Sequence, residues 1–179
     1  MKRGLGVRGQ IWVETVVYTL IAFALIGLVL AFVKPKVEEI QDKSTIEQSI
    51  SILEDLDSII KNLGGSGNQR VVQVGISKGS LIFDGVNDKI FFEIESKYEY
   101  SQSGTEITIG EVIVNNEKRG KLNEVNLTLD YSLEYNIQYQ NAEQIRKIGG
   151  AATPYKVVIS NGGQDVASGE TIINIDVID

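Results

Sequence analysis

The spacing of hydrophobic and polar positions changes twice along the chain. From Thr15 to Val33 no charged residue occurs, and apolar side chains such as Val16, Leu20, Phe23, Leu25, Ile26 and Leu30 leave no polar face. A helix of roughly 20 such residues, rising about 1.5 Å each, matches the hydrocarbon thickness of a bilayer, so this stretch predicts a membrane-spanning helix.

Beyond Lys34, Pro35 and Lys36 the pattern becomes amphipathic. Ile40, Ile46, Ile50, Leu53, Leu56, Ile60 and Leu63 recur mostly at three- and four-residue steps, with Glu38, Asp42, Glu47, Asp55 and Asp57 among the polar residues between them. This is the signature of a helix with one apolar stripe. Pro35 lacks a backbone donor and disfavours helix at Lys34, so it either kinks the junction or sits where the first segment ends. One bent helix over 10–63 is the preferred reading. Gly64, Gly65, Ser66 and Gly67 stop it, and 64–69 reads as a glycine-rich linker.

From Arg70 the period falls to two, with strands expected over 71–76, 81–83, 89–95, 106–114, 122–139, 155–159 and 171–178 and no intervening helix. Asp84-Gly85, Asn87-Asp88, 101–104, Asn115-Asn116, Gly149-Gly150 and 161–163 supply turn residues between them. The clearest alternation sets Leu127, Leu129, Tyr131, Leu133, Tyr135, Ile137 and Tyr139 against polar neighbours, one face buried and the other wet. The expected fold is therefore α+β: a long N-terminal helix, then an antiparallel β-sandwich or partly open barrel of about seven strands over 70–179. The amphipathic half of the helix is expected to lie against one open side.

Composition narrows the chemistry. Neither cysteine nor histidine occurs among the 179 residues, which removes disulfides, thiolate metal sites, the commonest general base and the commonest zinc ligand. With no Gly-x-Ser-x-Gly elbow and no glycine-rich loop between strand and helix, an enzyme is not expected, nor any cofactor. A net charge of −7 without a basic stripe argues against a nucleic-acid partner. Asp84, Asn87 and Asp88 share a short loop but lack the spacing of a calcium loop and read as a turn. Tyr98, Tyr100, Tyr131, Tyr135 and Tyr139 read as packing aromatics rather than a binding surface. Asn126-Leu127-Thr128 is the one Asn-x-Ser/Thr sequon, with Asn126 and Thr128 on the solvent face, which makes Asn126 a candidate for N-glycosylation outside the cytoplasm.

The N-terminus carries more information. Residues 1–9 hold Lys2, Arg3 and Arg8 among glycines, a basic leader that should stay in the cytoplasm. A conventional secretory signal fits poorly, because Ala22-Phe23-Ala24 lies in the middle of the apolar run and cleavage there would leave an apolar tail. Glu14 is a carboxylate one turn inside the apolar helix. Placed at headgroup level beside Trp12 it costs little, whereas deeper and unpaired it costs at least a few kcal/mol, so a partner is then required.

Taken together, Lys2, Arg3, Arg8-Gly9, then Gln10, then Glu14, then an unbroken apolar helix resemble the class III leader of archaeal type IV prepilins. The likeness covers residues 1 to about 36. It implies that a membrane prepilin peptidase cuts between Gly9 and Gln10, removing 1–9. It further implies that 10–33 anchors the precursor and later packs into the core of an extracellular filament by self-association. There the Glu14 carboxylate of one subunit meets the Gln10 amine of a neighbour, which makes burial of both charges tolerable. Lys34 and Lys36 beyond the helix weaken the charge asymmetry that sets orientation, although the leader side still carries more. The β-body resembles no family by motif. A monomeric signal-anchored surface protein, whose β-body binds a ligand or envelope partner, is the alternative.

Overall fold

A computed structural model describes residues 7–166 and 168–178, with residues 7–11 described by backbone alone. A single helix, α1, runs Val7–Lys61 with Pro35 inside it. Ten strands follow: β1 Gln69–Val74, β2 Ser80–Asp84, β3 Lys89–Ser96, β4 Ile107–Ile109, β5 Val112–Arg119, β6 Leu122–Asp130, β7 Tyr135–Tyr139, β8 Ile145–Gly149, β9 Tyr155–Gln164 and β10 Thr171–Ile178. The chain is thus α+β, with two sheets forming a sandwich. Contacts divide it into two compact units, the first ending at Ile40 and the second running from Gln41 to the C-terminus.

In the first unit every residue from Trp12 to Val37 is exposed, and valine and leucine are the commonest residues of the run. By length and composition α1 is long and apolar enough to cross a membrane. Pro35 forfeits the backbone bond to Ala31, yet the helix continues through it.

In the second unit, one sheet has the strand order β4-β5-β6-β3-β2-β8 and the other β1-β9-β10-β7. All pairs are antiparallel except β10 with β7, which run parallel from Thr171 beside Tyr135 to Ile175 beside Tyr139. Of the helix stripe predicted from the sequence, Ile40 is exposed, whereas Ile46, Ile50, Leu53, Leu56, Ile60 and Leu63 are buried. They share one cluster with Phe83, Phe92, Leu127 and Val114 of the larger sheet and with Val157, Ile159, Ile175 and Ile137 of the smaller. Fully burying each such aliphatic contributes about 1.5–3 kcal/mol, so the stripe ties residues 41–61 to the strands.

The strand boundaries differ from expectation in five places. The expected strand over 122–139 is two, β6 in the larger sheet and β7 in the smaller. Asp130 Oδ1 accepts from the Ser132 amide at 3.1 Å and the Ser132 hydroxyl at 2.7 Å, and Tyr131 O accepts from the Tyr135 amide, so the chain turns there and Leu133 is left exposed. The expected strand over 106–114 is a hairpin, with Gly110 at φ +59° between β4 and β5. Asn115 and Asn116 lie inside β5 rather than in a turn, because the Asn116 side chain is buried and donates to Ser101 O at 2.7 Å. The glycines at 162 and 163 form an irregularity inside β9, opposite Ile172 and Ile173, rather than ending it. β8 lies where the sequence predicts no strand, because Ile145-Arg146-Lys147-Ile148 carries no period-two pattern. The linker over 64–69 begins with Gly64 at φ +80°, as a helix stop requires. It is then tied down, Asn161 donating to Gly64 O at 2.7 Å and accepting at its own carbonyl from the Gly67 amide at 2.9 Å.

Candidate functional site

The residues singled out in the sequence fall on three places. Lys2 and Arg3 lie outside the described residues. Arg8, Gly9 and Gln10 lie within the backbone of α1, which begins at Val7. Glu14 stands one helical turn after Gln10, exposed, at the start of the apolar run. The i,i+4 spacing puts residues 10 and 14 on one face of the helix. Farther along, Thr19 turns its hydroxyl back to Thr15 O at 2.8 Å, which satisfies a polar group on an apolar helix without an outside partner. Lys36 pairs with Glu39 at 2.8 Å just past Pro35, an exposed pair worth little by itself. Among the described residues, this segment therefore presents about seven turns of exposed apolar side chains with one carboxylate near their start.

Where α1 enters the β-body, two aspartates in the apolar stripe anchor it. Asp42 is buried; one of its oxygens accepts from Lys78 Nζ at 2.5 Å and the other from the Lys97 amide at 2.6 Å. Four turns on, Asp57 accepts from the Tyr131 hydroxyl at 3.0 Å and pairs with Lys61 at 3.1 Å, and Lys61 also reaches Glu111 at 3.2 Å. Burial opposes the charge on Lys61, but Asp57 and Glu111 together hold it above the ordinary lysine value. Burial first, and then the adjacent Asp57 carboxylate, push the Tyr131 hydroxyl well above the ordinary tyrosine range, so it stays a donor at any physiological pH. Glu54 closes against Gly110, where a Cβ would lie 2.9 Å from its carboxylate. These contacts fix the rotation of residues 41–61 about the helix axis, which burial of a continuous stripe alone does not.

Sequence reasoning passed over Asp42 and Asp57 because both read as polar residues between apolar ones. The signal was their spacing: 42, 46, 50, 53, 57 and 60 keep the helical repeat of the stripe, so both carboxylates had to face the core.

The remaining candidates resolve simply. Asp84 Oδ1 accepts from the Val86 and Asn87 amides at 3.0 and 3.1 Å and its other oxygen from Asn87 Nδ2 at 2.8 Å, the turn expected of that loop. No cluster of three or more acidic, histidine or cysteine side chains suited to a metal occurs among the described residues. Tyr98 meets Tyr100 edge to face at 6.3 Å, as Tyr131 meets Tyr135 at 5.7 Å, so these aromatics pack on one another. Asn126 and Thr128 lie on the outer face of β6, half-buried, while Leu127 between them is in the core. No family model matches the chain, and neither curated proteins nor solved structures match it.

Proposed function

We propose that this chain is a type IV pilin-like structural subunit, held in the membrane by the apolar half of α1 and later assembled through that half into an extracellular filament. The observation that carries the reading is Glu14. A lone carboxylate at the head of an exposed apolar helix, immediately after Arg8, Gly9 and Gln10, is costly in a bilayer and useful in a bundle of like helices. Cutting between Gly9 and Gln10 by a prepilin peptidase removes the basic leader and creates an α-amino group one helical turn from that carboxylate. Neighbouring subunits then satisfy each other by pairing amine with carboxylate, and the pairing fixes their axial stagger.

The second half of the helix supports the same reading. A subunit drawn into a filament by its apolar segment must carry its body with it, and the Asp42 and Asp57 contacts together with five buried aliphatics join residues 41–61 to the strands.

Intact mass and N-terminal sequencing of the protein from its native membrane test the proposal. A chain beginning at Gln10, together with filaments lost from cells lacking the gene, is the expected result. A chain retaining Met1 to Gly9 instead supports the signal-anchored monomer.

A further inference from the structure

We infer that Asn126 carries an N-linked glycan whose first sugar lies in a groove on the outer face of the larger sheet, against Phe91. The inference requires the β-body to be exported, as in the proposed function, but does not require filament assembly.

Within β6 the side chains alternate, so Asn126 and Thr128 share the outer face while Leu127 is fully buried. The two groups read by a glycan transferase are thus on one side of the strand. Neither side chain forms a hydrogen bond with any described residue, so the Asn126 amide is uncommitted. Beside it is a shallow groove of about 360 Å³ lined by Asn126, Thr128, Phe91, Lys89, Glu93 and Asn87. That volume is in the range of clefts that hold small ligands.

The pairing places the groove's one aromatic ring within reach. Glu93 of β3 stands opposite Asn126 and Phe91 opposite Thr128, so Phe91 is the diagonal neighbour of Asn126 on the same face. Diagonal neighbours lie about 7–8 Å apart, close enough for large groups to touch. The charged groups of the rim are already satisfied: Glu93 binds Lys147 at 2.6 Å, Lys89 binds Asp130 at 3.0 Å, and Asp84, also on the lining, accepts hydrogen bonds from Val86 and Asn87. A half-buried phenyl ring bordered by satisfied polar groups suits the apolar face of a pyranose, whose hydroxyls stay toward the rim and solvent. The covalent link supplies the occupant, because a tethered sugar is present at high effective concentration and weak stacking then suffices to seat it.

The donor is an oligosaccharide linked through phosphate to a membrane lipid. Asn126 Nδ2 bonds to the anomeric carbon of the sugar, the anomeric carbon–oxygen bond to the lipid phosphate breaks, the phosphate leaves with the bonding pair, and the amide gives up one proton. Transfer precedes sheet closure, since the finished β6 has β3 and β5 on its two sides.

The test uses full-length protein from its native membrane. Peptide mass analysis spanning residues 122–130 is expected to show a glycan mass on Asn126, absent in Asn126→Gln and in Thr128→Ala. An unmodified peptide overturns the inference, and protease accessibility of the body on intact cells tells which premise failed. An accessible but unmodified body leaves the filament reading standing, whereas an inaccessible one removes both. For the seat, Phe91→Leu keeps an apolar side chain but loses the ring. It is expected to shift the unfolding equilibrium roughly threefold or more further in glycosylated protein than in the Asn126→Gln background, the scale of coupling between touching groups. Equal effects in the two backgrounds overturn the contact with Phe91.

Discussion

The Tyr131 hydroxyl donates to the Asp57 carboxylate across 3.0 Å, joining the last turns of α1 to the point where the chain leaves β6 for the other sheet. Both groups are buried, and Lys61 holds the second Asp57 oxygen. Tyr131→Phe keeps the packing and removes only the donor. It is expected to destabilise the full-length chain by about 1–2 kcal/mol, the cost of losing a buried hydrogen bond to a charged acceptor that keeps one other partner. Guanidinium unfolding in detergent checks this: the midpoint falls while the slope is unchanged.

Two glycines separate backbone strain from steric exclusion. Gly79 and Gly67 have φ of +83° and +84°. At Gly67 a Cβ meets nothing within 4 Å, whereas at Gly79 it collides with the Glu93 carbonyl oxygen and comes within 3.0 Å of the Ile94 side chain. Gly67→Ala is therefore expected to cost only the conformational penalty, about 1–2 kcal/mol. Gly79→Ala is expected to cost distinctly more, because β3 must also move. Thermal unfolding of the pair side by side decides it, and equal shifts in Tm would refute the steric argument.

The helical stripe and the period-two body were legible because burial on one face of each element leaves its repeat in the sequence. Residues 46, 50, 53, 56 and 60 of α1, Leu63 just past its end, and the whole of β10 match expectation for this reason. Breaks that preserve the repeat were not legible. Tyr131 and Ile137 remain buried on either side of the turn at Ser132, so alternation continues through a point where the chain changes sheets. Likewise Asn115 and Asn116 have turn-forming chemistry, but a loop 15 residues earlier supplies the acceptor that keeps Asn116 inside β5. Asp42 and Asp57 illustrate the opposite failure: the type of residue hid a position that spacing alone would have assigned to the core.

Asp88 gives the β-body a pH dependence of predictable sign. It has φ +55° and accepts from the Ile137 amide at 2.7 Å, but burial, followed by the nearby charges of Glu170, Glu143 and Asp84, raises its carboxyl above the ordinary value of 3.8. The folded state thus holds its proton more tightly than the unfolded state. The stability Asp88 contributes is complete below its ordinary value and is lost as pH rises through its raised folded value. Asn at 88 keeps the acceptor, tolerates the positive φ and carries no charge. Asp88→Asn is expected to raise Tm at neutral pH and to flatten the decline in stability as pH rises above the ordinary value of 3.8. Melting curves across that range test it, and a lower Tm at pH 7 would contradict it.

Glu14 offers the sharpest test of assembly. In the bilayer its carboxylate is a burden of about 2–3 kcal/mol at depth and less near the headgroups, so Glu14→Ala is expected to insert at least as well as the parent chain. The β-body, which begins its contacts at Gln41, should fold unchanged. Cleavage between Gly9 and Gln10 should also persist, since the altered residue lies beyond the cut. On the proposed assembly, the variant lacks the group that would compensate a neighbour's Gln10 amine. If that pair is worth 1.4 kcal/mol or more, incorporation in competition with parent subunits falls at least about tenfold. Glu14→Gln removes the charge while retaining shape and hydrogen bonding, and should fail similarly if the charge pair is what matters. Sheared filament yield, measured against processed subunit left in the membrane, separates the steps. Processed, folded subunit accumulating in the membrane is the expected pattern for both variants, and filaments at parental yield from both would remove Glu14 from the assembly argument.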